Sequence, residues 1–268
     1  MNDAFFFEPL ADGGFRSTQS TVGPWDPRLQ HGSPPAALLG RALERLAPRP
    51  GARIARFAMD FLGPIPVEDL FVDAEVLRPG SKIELLSATA RTRTRPVLRA
   101  TAWRLSTEEG RSPVVAEPGR VPPLPPDQPQ IFFPGVAHFP YAEALEWRFV
   151  EGAFDRSGPA TVWARPRISL LPGEDTSALG RLLLMVDSAN GISAELPVLE
   201  WTFVPVELTV VIERHPRGEW TGMSARTTIG ADGIGHTTAR LFDAEGFLGH
   251  SLQTLYVAPS AAAGKVSR

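Results

Sequence analysis

The sequence predicts an α+β fold in which one unit is built twice, each copy being an antiparallel sheet wrapped around a helix. Each half of the 268-residue chain contains one helix-forming segment followed by four strand-forming segments. The strand spacing is similar in both halves, and a proline-rich stretch separates them. Repetition of this kind indicates that one structural unit occurs twice along the chain.

The first predicted helix begins near Ser33, which can cap it, and its first turn carries Pro34 and Pro35. Apolar residues then recur at helical spacing as far as Pro48: Ala37, Leu38, Ala42, Leu43 and Leu46.

The second predicted helix begins after residues 175–177, any of which can cap it. Its buried surface is predicted to consist of Leu179, Leu182, Leu183, Val186 and Ile192.

Strands are predicted from alternation of apolar and polar residues, and from the turns that separate them. In the first half they cover residues 57–61, 70–77, 83–92 and 97–105. In the second half they cover residues 206–210, 219–229, 235–242 and 247–257.

A single apolar helix followed by such a meander is buried only if the sheet wraps around it, which is the hotdog arrangement. Because open edge strands invite uncontrolled pairing, we expect the two units to join edge to edge into one long sheet. The predicted organisation is a tandem (double) hotdog with an N-terminal hotdog at 1–115, a proline-rich linker at 116–139, a C-terminal hotdog at 140–258 and a flexible tail at 259–268.

Composition excludes several classes of function. A net charge of -3 gives no general attraction to nucleic acid or anionic lipid. The absence of cysteine excludes disulfides, thiolate nucleophiles and cysteine-ligated metals, and the five histidines lack metal-ligand spacing. We see no signal peptide and no apolar run near the roughly 20 residues that a membrane span requires. We therefore expect a soluble cytoplasmic protein without a metal or cofactor, without nucleic-acid partners and without membrane insertion.

Asp187 is the first candidate catalytic residue. It continues an apolar helical stripe formed by Leu179 and Leu183 and followed by Asn190. A carboxylate on a core-facing stripe is costly, and desolvation would raise its pKa toward the range that suits a general base. The alternative is that Asp187 lies at the edge of the stripe, in solvent or bonded to a backbone amide.

Gln253 is the second candidate, because it interrupts an otherwise apolar strand and a buried amide needs partners for both of its ends. The alternative is an outward-facing glutamine. Subtracting the repeat length of about 150 residues from 187 and 253 gives Ala37 and Trp103. The first half therefore lacks both polar groups, and we predict one site per chain, in the C-terminal unit.

Several segments resemble the double-hotdog acyl-CoA thioesterase II family. Residues 182–190 (LLLMVDSAN) and 249–254 (GHSLQT) are similar to its helix acid and last-strand glutamine. Residues 25–27 and 30–35 are similar to the loop that leads into its first helix. The resemblance spans nearly the whole chain, although each motif is short.

This resemblance implies an aspartate, a glutamine and a threonine that hold one water for direct attack on the thioester. Asp187 and Gln253 match two of the three. The position expected for the threonine is Pro205, and Thr202 or Thr209 could replace it only if the strand start is shifted.

The family likeness also implies an acyl-CoA substrate and hydrolysis to a free acid and CoA. We also expect a homodimer. We expect His31 and Gly32, which precede the first helix, to bind the thioester oxyanion through free backbone N–H groups, although a solvent-exposed helix start is the alternative. The acyl chain is expected between helix and sheet, in a pocket lined from both halves. Its expected lining includes Phe57, Met59, Phe61 and Leu183.

Two other functions remain open. Because the threonine is missing, the chain could be a hotdog protein that binds acyl-CoA or fatty acid without turnover. A hotdog dehydratase or hydratase is disfavoured, because no Asp and His pair lies at matching places in a helix and the loop before it.

Overall fold

A computed structural model of the chain describes residues 4–136 and 138–260. The first half contains β1 (Phe7–Pro9), β2 (Phe15–Ser17), α1 (Ser33–Arg45), β3 (Ala52–Phe61), β4 (Asp69–Arg78), β5 (Ile83–Arg91) and β6 (Pro96–Ser106). The second half contains α2 (Pro140–Glu143), β7 (Leu145–Ala153), β8 (Arg156–Pro166), α3 (Ala178–Val186), α4 (Ala189–Ile192), β9 (Trp201–Ile212), β10 (Thr221–Ile229), β11 (Ile234–Asp243) and β12 (Gly246–Pro259). Within these residues, no helix is long and apolar enough to cross a membrane.

The strands form one antiparallel sheet in the order β1-β2-β4-β5-β6-β3-β9-β12-β11-β10-β8-β7. The halves join where β3 pairs with β9, with Phe57 opposite Val210 and Met59 opposite Leu208. Read outward from this junction, both halves have the same order of strands. The predicted tandem hotdog, joined edge to edge, is therefore confirmed.

The prediction of four strands per half was wrong, because among the described residues each half has six. Strands β7 and β8 extend the second half of the sheet beyond β10, as β1 and β2 extend the first half beyond β4. The signal for β7 was present, since Leu145, Trp147 and Phe149 alternate with polar residues. The repeat of one helix followed by four strands does not include these two pairs, because they precede the helices.

Helices α1 and α3 lie side by side in opposite directions beneath the sheet. They pack tightly at Gly40, where a Cβ atom would lie only 2.5 Å from Cδ1 of Leu183. At one end of the pair, Ser177 donates its hydroxyl to Oε2 of Glu44 at 2.6 Å. At the other end, Gly32 meets Asp187. The two halves therefore share one core and meet at two equivalent ends of the helix pair.

The second predicted helix is shorter than its apolar stripe suggested. It ends at Val186, and Asp187 forms its C-cap before the separate turn α4. The backbone bends at this point, so Asp187 and Asn190 do not continue one straight stripe. Leu183 remains fully buried in the core, as expected.

The proline-rich linker covers the outer edge of β7, the last strand of the sheet. The side-chain amide of Gln128 donates to the carbonyl of Phe149 and accepts from its N–H, each at 2.8 Å. Gln130 forms the same pair of bonds with Trp147, each at 2.9 Å. Two glutamine side chains thus take the place of a neighbouring strand. Of the predicted tail 259–268, Pro259 ends β12 and residues 261–268 lie outside the described residues.

Candidate active site

Asp187 lies at the junction of the two halves, with 4% of its side chain exposed. The apolar helix α3 positions it, because that helix buries almost every residue up to Val186 against the core. Its carboxyl group faces Gly32 and His31, which precede α1 in the other half. The site is therefore built by both units.

Gln253 reaches Asp187 from the inner face of β12, where it is fully buried opposite Leu208. Its Nε2 donates to Oδ1 of Asp187 at 3.0 Å and to the carbonyl oxygen of the same residue at 3.1 Å. Its Oε1 accepts from the backbone N–H of Asn190 at 3.2 Å. Both amide hydrogens are thus committed to Asp187, and one lone pair on Oε1 remains for another donor.

Burial raises the pKa of Asp187 to about 7. Desolvation of the carboxylate is the main cause, while hydrogen bonds from Gln253 and from the backbone N–H of Gly32 partly oppose it. A carboxyl group with this pKa is divided between acid and base near neutral pH. It can therefore accept a proton from water and return it later.

A glycine is needed at position 32 because its neighbours leave no room for a side chain. The backbone itself would accept any residue, since its φ is -68°. A Cβ atom there would lie 2.6 Å from Oδ2 of Asp187 and 2.7 Å from Cε1 of Phe61. A larger residue would push one of these two side chains away.

His31 is the second titratable group at the site, and its Nδ1 lies 3.6 Å from Oδ2 of Asp187. Nδ1 accepts a hydrogen bond from the backbone N–H of Ser33 at 3.1 Å. Nδ1 is therefore the unprotonated ring nitrogen, and the ring proton is on Nε2. Burial also lowers the pKa of His31 to about 3. His31 is therefore neutral, and the contact with Asp187 is not an ion pair.

Tyr141 fixes the plane of the His31 ring. The two rings stack with centroids 3.8 Å apart and an interplanar angle of 4°. The Tyr141 hydroxyl donates to the carbonyl of Leu184 at 2.7 Å and lies 2.8 Å from Oγ of Ser188 and 3.1 Å from Oγ of Ser33. This network ties the loop before α1 to the end of α3.

The structure does not bring Thr202 or Thr209 to Asp187. Thr202 lies between inward-facing residues of β9, and Thr209 bonds Glu207 at 3.1 Å and pairs with Ala58 and the exposed Leu252. Both threonines thus lie on the outer face of the sheet, whereas Gln253 lies on the inner face. Pro205 lies at a bulge opposite the buried Leu255, where its lack of an N–H disrupts the strand least.

The apolar candidates lie in the shared core. The Phe61 ring packs against Gly32. Met59 and Gln253 both pair with Leu208, one from each side of β9. Phe57 and Leu183 are fully buried in the same core.

Three details differ from the sequence-based expectations. The His31 N–H is not free, because it donates to the carbonyl of Thr21 at 2.8 Å. An Asp and His pair does exist, since His31 and Asp187 meet from different halves. Trp103 faces outward, and the buried Ala102 occupies the inner face of β6. For Gln253 the repeat offset of 150 was therefore wrong by one residue, although Ala102 also lacks a polar group. For Asp187 the expected counterpart Ala37 was wrong, because the equivalent end of α1 carries Glu44, so the first half does have a carboxyl group there.

Sequence reasoning missed Tyr141 and the backbone role of Asn190. Tyr141 had no detectable signal, because it lies just after the linker and meets His31 only in the folded chain. Asn190 was identified by its position on the stripe, but its backbone bond to Gln253 depends on the bend after Asp187.

Two family models match the chain. Residues 21–105 match the acyl-CoA thioesterase N-terminal domain, and residues 118–257 match the acyl-CoA thioesterase C-terminal domain. No curated protein matches the sequence.

Several solved structures are similar in fold. A hotdog-fold protein of unknown function from Alicyclobacillus acidocaldarius is 18% identical, with 93% of each chain covered and a TM-score of 0.73. The acyl-CoA thioesterase II TesB2 from Mycobacterium marinum is 16% identical, with 95% of each chain covered and a TM-score of 0.68. The tesB protein of Mycobacterium avium subspecies paratuberculosis is 16% identical, with 89% of this chain and 95% of that chain covered and a TM-score of 0.63.

Proposed function

Because the chain belongs to the acyl-CoA thioesterase family, we propose that it hydrolyses an acyl-CoA thioester to a free acid and CoA, with Asp187 as the general base. The observation that carries this proposal is a buried carboxyl group with a pKa of about 7, held by Gln253 where the two halves meet. No other described carboxyl group combines this burial with such a pKa.

In the proposed reaction, the Asp187 carboxylate takes a proton from water while the water oxygen attacks the thioester carbon. The resulting oxyanion then collapses, the C–S bond breaks, and the CoA thiolate takes the proton back from Asp187. Gln253 acts mainly by holding the carboxylate, since both of its amide hydrogens bond Asp187. The remaining lone pair on its Oε1 is available to the attacking water.

The acyl chain is proposed to enter the shared core between the helices and the sheet. Phe61 supports this path, because its ring touches Gly32 beside the carboxyl group. Phe57, Met59 and Leu183 lie deeper in the same core, so the chain would contact both halves. The homodimer and the cytoplasmic location stay predictions.

The test is release of CoA from acyl-CoA substrates of increasing chain length, followed with a thiol-reactive dye. We expect hydrolysis by the wild type and a fall in kcat of about 10²-fold or more for Asp187→Asn, which keeps the shape but removes the base. Full activity in that variant would eliminate Asp187 as the base.

One observation favours a second candidate, a protein that binds acyl-CoA without hydrolysing it. Pro205 supplies no hydroxyl, and the two threonines of β9, Thr202 and Thr209, lie on the other face of the sheet. Saturable acyl-CoA binding in calorimetry, without CoA release by the wild type, would support this reading over hydrolysis.

A further inference from the structure

The start of α1 offers few backbone donors to a substrate. The His31 N–H donates to Thr21, and the Ser33 N–H donates to the ring of His31. The Gly32 N–H is directed at the Asp187 carboxyl group and lowers its pKa, and Pro34 and Pro35, which follow Ser33, have no N–H. The backbone donors that usually make a helix start an oxyanion site are therefore already used or missing.

The His31 side chain offers a donor at the same place. Since Nδ1 accepts from Ser33, Nε2 carries the ring proton, and no acceptor for this N–H is found within residues 4–136 and 138–260. The side chain is 12% exposed, compared with 4% for Asp187, so the ring lies nearer the surface than the carboxyl group. Stacking on Tyr141 holds the ring in one plane, which preorganises the donor.

We propose that Nε2–H of His31 donates a hydrogen bond to the carbonyl oxygen of the bound thioester and stabilises the oxyanion that forms there. This inference rests on the proposed thioester hydrolysis and identifies the residue that activates the electrophile. A neutral imidazole can fill this role because a hydrogen-bond donor aimed at developing negative charge needs no positive charge of its own.

The same geometry argues against a hydratase, although His31 and Asp187 meet. A histidine that abstracts a carbon-bound proton needs a lone pair on the nitrogen that faces the substrate. In this structure the lone pair is on Nδ1 and is occupied by the Ser33 N–H. The ring is therefore arranged to donate.

The first test compares His31→Phe, which keeps a ring against Tyr141 but has no donor, with His31→Gln, whose amide can donate. We expect His31→Phe to lower kcat by roughly 10²–10³-fold, the usual effect of losing one oxyanion donor, and His31→Gln to recover part of that loss. His236→Phe on the exposed face of β11 is the matched control and should keep wild-type kcat. Melting temperatures show whether each variant folds.

A second measurement reports the contact itself. Isotope-edited infrared spectra of a carbonyl-labelled acyl-CoA, bound to Asp187→Asn so that it is not hydrolysed, should show the carbonyl stretch at lower wavenumber than in water. The shift should disappear in the Asp187→Asn, His31→Phe double variant. A retained shift, or wild-type kcat in folded His31→Phe, would overturn the role of His31. Absence of CoA release by the wild type would instead contradict the proposed function, while the spectra would still report on His31.

Discussion

The side-chain amide of Gln253 donates hydrogen bonds to two groups of Asp187, the side-chain carboxylate and the backbone carbonyl. Gln253 therefore acts through Asp187, and removing it after Asp187 is already disabled should matter little. We expect Gln253→Ala to lower kcat, and the double variant with Asp187→Asn to be hardly slower than Asp187→Asn alone. Steady-state kinetics of the four proteins measure this. Independent, multiplying losses would contradict the coupling.

The dependence of activity on pH should follow Asp187 alone. Its pKa of about 7 means that the base form grows as pH rises through that value. We expect kcat/KM to increase with pH below 7 and to level off above it. His31, with a pKa lowered to about 3, should add no second step between pH 5 and 9. A profile that is flat, or whose midpoint lies near 4, would show that Asp187 is not the titrating group.

The contribution of Asp187 to the stability of the protein should also change with pH, and in the opposite direction to activity. Asp187 has its pKa raised from 3.8 to about 7 on folding, so between these values the folded state binds more protons than the unfolded state. The contribution of Asp187 to the free energy of unfolding therefore falls as pH rises through this window, by up to roughly 1.4 kcal/mol per pH unit.

Asp187→Asn removes the titrating carboxyl group, so the variant should not lose this part of its stability as pH rises from 4 to 7. The melting temperature of the variant, minus that of the wild type, should increase between pH 4 and 7 and remain constant above 7. Effects of His31 and other groups are common to both proteins and largely cancel in the difference. A difference that does not vary with pH would mean that the carboxyl group keeps its ordinary pKa.

Gly32→Ala should impair both activity and stability. The added methyl would lie 2.6 Å from Oδ2 of Asp187 and 2.7 Å from the Phe61 ring, and overpacking of this kind costs about 1–3 kcal/mol. Gly191→Ala is a suitable control, since its Cβ would meet only Cζ of Phe133 at 3.4 Å. Thermal unfolding and kcat should separate the two variants. Equal behaviour would show that the approach of Gly32 to Asp187 is not needed.

Replacing Gln128 and Gln130 together by alanine should expose the edge of β7. Two pairs of hydrogen bonds would be lost, each bond contributing about 0.5–1.5 kcal/mol, and the uncovered strand could pair with another chain. We expect a lower melting temperature and concentration-dependent self-association in light scattering, with little change in kcat. The exposed Gln19→Ala should show neither effect. A double variant that remains as stable and dispersed as this control would contradict the covering role.

The sequence predicted the repeat, the helices and the pairing of Asp187 with Gln253 because these depend on local periodicity and on residue chemistry. It could not predict the contact between His31 and Asp187. That contact depends on two helices from different halves packing in opposite directions, and no local pattern records their relative placement. The sequence could not predict which sheet face carries the threonines either. The bulge at Pro205 shifts the register between β9 and β12, and no local pattern predicts that shift.

Because α1 and α3 lie side by side in opposite directions, the start of each helix meets the end of the other. The repeat makes these two places equivalent, yet their side chains differ. At one place Glu44 and Ser177 close the junction with a direct hydrogen bond, while at the other Asp187 faces a glycine and a neutral imidazole. Two identical separate chains would have to present the same side chains at both places, and any substitution would alter both together. Covalent fusion removes that symmetry constraint. One junction can therefore hold the two helices together while the other evolves as a reactive site.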